Sequence, residues 1–267
     1  MTKYLDIAIK AARSAGQYLL EHRGKISIDQ VDEKARNDFV TFVDKNSEKL
    51  IVDHLLSHFP SHKILAEEGT KFEQSSNYQW IIDPLDGTKN FIHNVPFFSV
   101  SIALKYQDEI VLGVIYDPVH DDVFYAEKGK GAFLNQKVIK VSSRPFSTAL
   151  IVTGFPHRKK QYLPTYLLAF EEIFLNCSGM RRCGSAALDL CYTAAGIYDG
   201  FWELGLSTWD MAAGSLIVKE AGGKVSDFWG NQTQLRTGFI IAGNNNVHKN
   251  LVKILKEIFS NFRTDDK

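Results

Sequence analysis

The hydrophobic positions in the first half of the chain follow two different periods. Residues 3–22 have apolar side chains at helical spacing, which predicts an amphipathic helix, and a second helix is predicted from about 46 to 59, with Pro60 as its stop. Residues 63–69 (KILAEEG) predict a short strand that ends in acids. Between residues 96 and 141, short apolar or alternating runs are separated by turn signals, which predicts an antiparallel meander.

The second half of the chain alternates between strand and helix patterns. Helices are predicted at 161–176, 185–196, 210–221 and 247–262, and strands at 149–155, 198–204, 224–228 and 238–244. The change of pattern near residues 142–147 predicts two halves. Residues 1–145 would form an α+β half with a large antiparallel sheet, and residues 146–267 an α/β half.

Composition narrows the class of protein. The chain has 267 residues, of which 45% are hydrophobic and 23% charged, so it can bury a large core. Its 31 basic residues equal its 31 acidic ones, which argues against broad binding to nucleic acid or to a membrane surface. No apolar run approaches the roughly 20 residues that span a bilayer. The three cysteines form no CxxC motif, which favours free thiols in a reducing cytoplasm.

Acidic residues follow several of the apolar runs, at points where a core element would meet a cleft. They are Asp44, Glu67, Glu68, Asp83, Asp86 and Asp210. Taken singly, Asp44 and Asp210 are acceptable helix N-caps, and Asp86 with Gly87 is an acceptable turn. As a cluster they require a counter-charge, because carboxylates about 4 Å apart repel by several kcal/mol at an effective dielectric of ~20. Ligands that are all oxygen predict Mg²⁺ or Mn²⁺.

The residues between and directly after the paired aspartates suggest a second ligand. Pro84 stiffens the turn that holds Asp83 and Asp86, and Gly87 lets backbone approach a ligand closely. The N–H groups of Gly87 and Thr88 would then face an anion. Carboxylates that hold metals beside such N–H groups indicate metal-assisted phosphate chemistry.

Two motifs, WIIDPLDGTKNF (80–91) and WDMAAG (209–214), resemble the signatures of the inositol monophosphatase family, the lithium-sensitive, magnesium-dependent phosphomonoesterases. The stretches FVTFVD (39–44) and AEEG (66–69) match as well, so the resemblance covers nearly the whole chain. It implies an α/β (α+β) fold that forms a layered α/β/α/β/α sandwich, and a homodimer.

The resemblance also implies roles for individual residues. The metal ligands would be Glu67, Asp83, Asp86, Asp210 and the carbonyl of Leu85. Thr88 and Asp44, with Glu67, would orient and activate the attacking water. The substrate would be bound by Asp86, Gly87, Thr88, Ala186 and Glu203. Glu68 would lie close to the metal ligands, and a lysine in the family's mobile loop is matched by Lys34 or Arg36.

The implied activity is that of a phosphoric monoester hydrolase. Two or three Mg²⁺ ions would activate water for direct hydrolysis of inositol monophosphate or a similar polyol phosphate. The same chemistry on NADP(H), adenosine 3′,5′-bisphosphate or fructose 1,6-bisphosphate is an alternative, which Arg158 or Arg181 would favour and Glu203 would not. A third reading is a regulatory protein in which the fold serves a protein or RNA partner. The first reading needs neither membrane nor nucleic acid.

Overall fold

The fold consists of five alternating layers of helices and strands. The computed structural model describes residues 2–26, 31–35 and 38–261, with the backbone alone for residues 31–35 and 38–40. The helices are α1 (Lys3–His22), α2 (Phe42–His58), α3 (Thr88–Ile92), α4 (Leu163–Asn176), α5 (Ala186–Ala194), α6 (Thr208–Glu220), α7 (Gln234–Thr237) and α8 (Asn245–Ile258).

The strands form one hairpin and two larger sheets. They are β1 (Val31–Ala35), β2 (Asp38–Thr41), β3 (Lys63–Ala66), β4 (Lys71–Phe72), β5 (Tyr78–Asp86), β6 (Ser99–Tyr106), β7 (Glu109–Asp117), β8 (Asp122–Glu127), β9 (Ala132–Leu134), β10 (Lys137–Ile139), β11 (Leu150–Thr153), β12 (Gly179–Arg181), β13 (Gly200–Leu204), β14 (Lys224–Ser226) and β15 (Phe239–Gly243). The order is β10-β9-β8-β7-β6-β5-β3-β4 in the eight-stranded sheet and β12-β11-β13-β15-β14 in the five-stranded sheet.

The eight-stranded sheet is buried on both faces, which explains the continuous apolar run in β5. Successive side chains of a strand point to opposite faces. Trp80 and Ile82 accordingly pack in the core that α1 and α2 share with the sheet, whereas Ile81 packs in the core on the other face. A strand covered by helices on both faces therefore shows no polar alternation.

The helices α5 and α6 lie between the two sheets and share one core with both. That core includes Ile115 from the first sheet, Phe201 from the second, and Leu190 and Met211 from the two helices. At the closest approach, a Cβ on Gly113 would lie 2.7 Å from the carbonyl oxygen of Ala213, so only glycine lets α6 pack this tightly on β7. This contact places the start of α6 beside the end of β5.

The outer layers complete the sandwich. The helices α4 and α8 cover the remaining face of the five-stranded sheet around Tyr166, Trp202, Phe228 and Phe259, all fully buried. The α/β/α/β/α layering expected from the sequence is therefore confirmed. None of the helices in the described parts of the chain combines the length and the apolar composition of a membrane span.

Most of the predicted elements are present, with shifted ends. The helix predicted from residue 46 begins at Phe42, because Thr41 caps it. The last helix ends at Ile258 rather than at residue 262. We retain the division into residues 1–145 and 146–267 as a proposal, supported by the change from one sheet to the other between β10 and β11.

Candidate active site

The two aspartates of the first signature lie at the carboxyl end of β5. Asp83 pairs with Ser101 of β6 and Asp86 with Ser99, and the register shifts between the two pairs. Residues three apart in a regular strand point to opposite faces. A bulge at Pro84 and Leu85 changes this alternation, so both carboxylates reach the same cluster.

Asp210 joins them from the first turn of α6, and Asp44 occupies the equivalent position in α2. Each is the third residue of its helix in a capping box, in which it accepts a hydrogen bond from the backbone N–H of the N-cap residue. The distances are 2.7 Å from Ser207 N to Asp210 Oδ2 and 2.8 Å from Thr41 N to Asp44 Oδ2. The interpretation of these aspartates as N-caps is therefore wrong: the N-cap residues are Thr41 and Ser207, three positions earlier in the chain.

Three carboxylates meet in a small volume. One oxygen each from Asp83, Asp86 and Asp210 lies within 4.8 Å of the others. Burial, and then the charges of Glu67 and Asp86, raise the pKa of Asp83 well above its usual range. Burial, and then the charge of Asp210, raise the pKa of Asp86 to about 7.

This cluster fits a divalent cation. Its donor atoms are all oxygens, the ligands that Mg²⁺ and Mn²⁺ prefer. The raised pKa values show that burial and mutual repulsion disfavour the charged state, which a bound cation would favour.

Glu67 reaches the cluster from the turn after β3. That turn is held by Glu48, a buried residue of α2 whose carboxylate accepts hydrogen bonds from the backbone N–H of Glu68 (2.6 Å) and of Thr70 (3.0 Å). Glu68 is not among the described residues that line the cavity. Its backbone serves to anchor the turn.

Thr88 connects the cluster to Asp44. Its hydroxyl lies 3.1 Å from Asp44 Oδ1 and 3.1 Å from the carbonyl oxygen of Leu85, and it can donate to either. The hydroxyl and the backbone N–H of Thr41 hold Oδ2 of the same aspartate. Asp44 thus lies behind Thr88, outside the cavity wall.

Gly87 turns the chain between Asp86 and α3. Its φ of +96° lies in the left-handed region, and a Cβ there would lie 3.1 Å from the carbonyl oxygen of Phe97 and 3.3 Å from that of Gly184. Both the conformation and the space therefore require glycine.

The amino-terminal end of α5 holds Asp86 in place. The backbone N–H of Ala187 donates to Asp86 Oδ2 at 2.8 Å, and the Ser185 hydroxyl donates to the same oxygen. Ala186, the next residue, lines the cavity. Sequence reasoning did not include Ser185 or Glu48. The serine before an apolar helical run was a recognisable N-cap signal, whereas nothing in the sequence marked Glu48.

These elements enclose a cavity of about 140 Å³. Among the residues expected in the site, those that line it are Glu67, Asp83, Leu85, Asp86, Gly87, Thr88, Ala186, Glu203 and Asp210. The side chain of Lys34 lies outside the described residues. Burial, and then the charge of Asp210, raise the pKa of Glu203 to about 8. A Cβ on Gly154 would overlap the Glu203 carboxylate, so this glycine makes room for it.

The mouth of the cavity is cationic and aromatic. Lys89, Arg158 and Arg182 line it together with Phe155 and His157. A ring nitrogen of His157 lies 2.8 Å from the Arg182 guanidinium. Burial, and then the surrounding cations, lower the pKa of His157 to about 4, so this ring is neutral at pH 7.

Comparison with known proteins identifies the family. A sequence profile of the inositol monophosphatase family matches residues 1–260. The Nus factor SuhB of Pseudomonas aeruginosa is 47% identical over 262 residues, which cover 96% of this chain and 97% of that protein. The crystal structure of the extragenic suppressor protein suhB from Bartonella henselae superposes with a TM-score of 0.93 at 43% identity, covering 96% of this chain and 99% of that one.

An inositol monophosphatase of known structure is similar as well. The IMPase of Thermotoga maritima matches with a TM-score of 0.89 at 36% identity, over 97% of this chain and 99% of that one. The layered fold is thus shared with these proteins. The chain belongs to the inositol monophosphatase family.

Proposed function

We propose that the protein is a Mg²⁺-dependent phosphatase that hydrolyses small phosphate monoesters, with inositol monophosphate as the leading substrate. The observation that carries this proposal is the meeting of the Asp83, Asp86 and Asp210 carboxylates within 4.8 Å of one another, in the wall of a small cavity. Family membership supports the reaction class.

The first task of the site is to hold the phosphate. The turn at Gly87 brings backbone into the cavity wall, and the N–H groups of Gly87 and Thr88 would donate to phosphate oxygens. Lys89 and Arg158 at the mouth add positive charge. These groups would orient the ester with its phosphorus facing the acid cluster.

The second task is to activate water. Bound Mg²⁺ (two or three ions, with Mn²⁺ as a substitute) would offset the charge of the carboxylates and the phosphate and increase the acidity of water. Its ligands would be Glu67, Asp83, Asp86, Asp210 and the carbonyl of Leu85. The hydrogen bond between Thr88 and Asp44 supports a role for this pair, with Glu67, in orienting the water and accepting its proton.

The third task is to recognise the alcohol. Glu203 and Ala186 line the cavity together with Asp86. The Glu203 carboxylate would accept hydrogen bonds from hydroxyl groups of the substrate, and Ala186 would contact them. A carboxylate at this position supports a small polyol over a nucleotide. NADP(H), adenosine 3′,5′-bisphosphate and fructose 1,6-bisphosphate remain the alternatives, which the cations at the mouth would suit.

We also propose a second role, as a Nus factor, the name given to close relatives. In that role the fold would serve a protein or RNA partner. A surface used for it need not involve the acid cluster, so variants of the cluster would separate the two roles.

The test is phosphate release by the purified protein with Mg²⁺ or Mn²⁺, each with and without EDTA. The panel contains myo-inositol 1-phosphate, NADP, adenosine 3′,5′-bisphosphate and fructose 1,6-bisphosphate. The expected result is metal-dependent release with the highest kcat/KM for the inositol ester. Folded, metal-loaded protein that releases phosphate from none of these substrates would contradict the proposal.

A further inference from the structure

The guanidinium of Arg158 lies between two carboxylates of the proposed metal site. Its Nη2 lies 3.1 Å from Glu67 Oε1 and its Nη1 lies 3.2 Å from Asp210 Oδ2, with the Ser207 hydroxyl at 3.3 Å. Glu67 follows β3 of the first sheet, whereas Asp210 lies on α6. One arginine, from the loop after β11, therefore connects carboxylates from separate elements.

The contact is electrostatically substantial. The two carboxylate side chains are 13% and 6% exposed, and the arginine side chain is 35% exposed, so water screens the pairs only in part. A guanidinium keeps its charge at any pH that the protein survives. Arg158 thus supplies the positive charge that a crowded acid cluster needs.

A metal at the proposed site would be bound by the same two carboxylates. A divalent cation bound through Glu67 and Asp210 would contact the two carboxylates that now hold the Arg158 guanidinium. The cation would also lie within a few ångströms of the guanidinium, and the two positively charged groups would repel each other. The guanidinium and the metal therefore compete for these two carboxylates.

We propose that Arg158 is an internal counter-ion that holds the acid cluster together in the metal-free protein and is displaced when a divalent cation binds. The inference rests on the proposed function, because the displacing ion is the proposed cofactor. The displaced guanidinium remains at the cavity mouth beside Lys89 and Arg182, where a phosphate group would attract it. Metal and phosphate then bind cooperatively, since each favours the displaced arrangement.

The test compares Arg158→Gln with the wild type and with Lys160→Gln, which removes an exposed cation two residues further along the chain. Mn²⁺ binding is measured by isothermal titration calorimetry, and Tm by differential scanning calorimetry in EDTA and in saturating Mn²⁺. Arg158→Gln is expected to bind Mn²⁺ about tenfold more tightly. Its Tm is expected to fall in EDTA and to match the wild type in Mn²⁺. Lys160→Gln is expected to behave as the wild type.

A second titration addresses the cooperativity. Inorganic phosphate is expected to increase the Mn²⁺ affinity of the wild type severalfold, and to have a smaller effect on Arg158→Gln. An equal effect of phosphate on both proteins would overturn the cooperative part of the proposal.

Two outcomes would overturn the counter-ion itself. One is an unchanged or weaker Mn²⁺ affinity in Arg158→Gln, and the other is an equal loss of Tm with and without Mn²⁺. Asp83→Asn separates this failure from that of the proposed function. If Asp83→Asn loses Mn²⁺ binding and Arg158→Gln does not change it, only the role of Arg158 is wrong. If Asp83→Asn binds Mn²⁺ as the wild type does, the metal site itself is wrong and both proposals fail.

Discussion

The Thr88 hydroxyl lies 3.1 Å from Asp44 Oδ1, although the two residues are 44 positions apart in the chain. Thr88 begins α3 and Asp44 lies in the first turn of α2, so this hydrogen bond connects the starts of two helices. Burial raises the pKa of Asp44, while its hydrogen bonds to Thr41 and Thr88 oppose that shift. This arrangement supports our proposal that Thr88 orients a water molecule and passes its proton to Asp44.

We predict that Thr88→Val, which keeps the shape of the side chain and removes the hydroxyl, lowers kcat by a factor of roughly 10² to 10⁴, the range of general acid–base catalysis. KM is expected to change little, because the backbone N–H remains. Thr88→Ser retains a hydroxyl and is expected to restore much of kcat. Steady-state kinetics on the preferred ester measures both constants. A Thr88→Val enzyme with near-normal kcat would remove this pair from the mechanism.

We predict that Asp83→Asn abolishes phosphate release and leaves the fold intact. The substitution removes charge at constant size from a carboxylate that is only 1% exposed and is crowded by other acids. In EDTA its Tm is therefore expected to equal or exceed that of the wild type. Asp53→Asn, an exposed carboxylate of α2 paired with Lys49, is the control and is expected to keep full activity. Substantial turnover by Asp83→Asn would contradict the assignment of the metal site.

The sequence predicted the acids of the site but not how they are held. Asp83 and Asp86 were recognisable because they follow an apolar run in the sequence. In the structure that run is the buried part of β5, and the two aspartates lie at its end. The residues that hold them come from far along the chain: Ser185 donates to Asp86 across 99 positions, and Arg158 to Glu67 across 91. Periodicity reports only on neighbours in sequence, so contacts of this kind cannot be read from it.

The fold was predictable to a similar degree. Long amphipathic helices and the antiparallel meander came from simple periods, and α1 agrees closely with its pattern. The order of the strands could not be predicted from these periods. β3 pairs in parallel with β5, and β4 pairs with the other edge of β3. The predicted start of α2 is too late because the first apolar residues of the helix continue the apolar pattern of β2. In the structure, the capping hydrogen bonds of Thr41 end the strand and begin the helix.

We predict that Glu203 makes the metal-free protein less stable as the pH rises. The pKa of this carboxyl is about 8 in the folded protein, against an ordinary value of 4.5, so the folded state holds a proton that the unfolded state releases. The contribution of the Glu203 proton to the free energy of unfolding is therefore fully present below pH 4.5 and is lost as the pH rises towards 8.

The corresponding experiment is Tm against pH in EDTA. Glu203→Gln is expected to give a shallower decline between pH 5 and 8 and a higher Tm at pH 8 than the wild type. Glu257→Gln, on the exposed face of α8, is expected to follow the wild-type curve. Parallel curves for Glu203→Gln and the wild type would mean that this carboxyl is ionised throughout.

We predict that Gly87→Ala destabilises the fold by about 2 to 3 kcal/mol, because it combines a left-handed φ with contacts to backbone oxygens. Gly129→Ala is a matched control, with a φ of +77° and nothing within 4 Å of the new Cβ. It is expected to lose about 1 kcal/mol, the strain of the conformation alone. Urea unfolding measures both free energies. Equal losses would show that the space around Gly87 does not constrain it.

We predict that the protein is a homodimer that uses the outer face of α4. This face exposes Leu167 (51%), Leu168 (60%), Phe174 (54%) and Leu175 (71%), a cluster of large apolar side chains that is unusual for a monomer surface. Leu168→Glu is expected to shift the protein towards monomer in sedimentation-velocity analysis. Val138→Glu, at an exposed position on β10, is expected to leave the assembly unchanged. A monomeric wild type would contradict the prediction.

The packing of Gly113 against Ala213 sets the distance between β7 and α6, and so the reach of Asp210 towards Asp83 and Asp86. A cation bound by all three carboxylates would act as a clamp across this packing, because two of its ligands belong to the first sheet and the third to the helix layer between the sheets. Anything that separates the layers, such as heat or denaturant, would then release the ion before the strands themselves come apart. Metal release would thus serve as an early reporter of unfolding in this molecule.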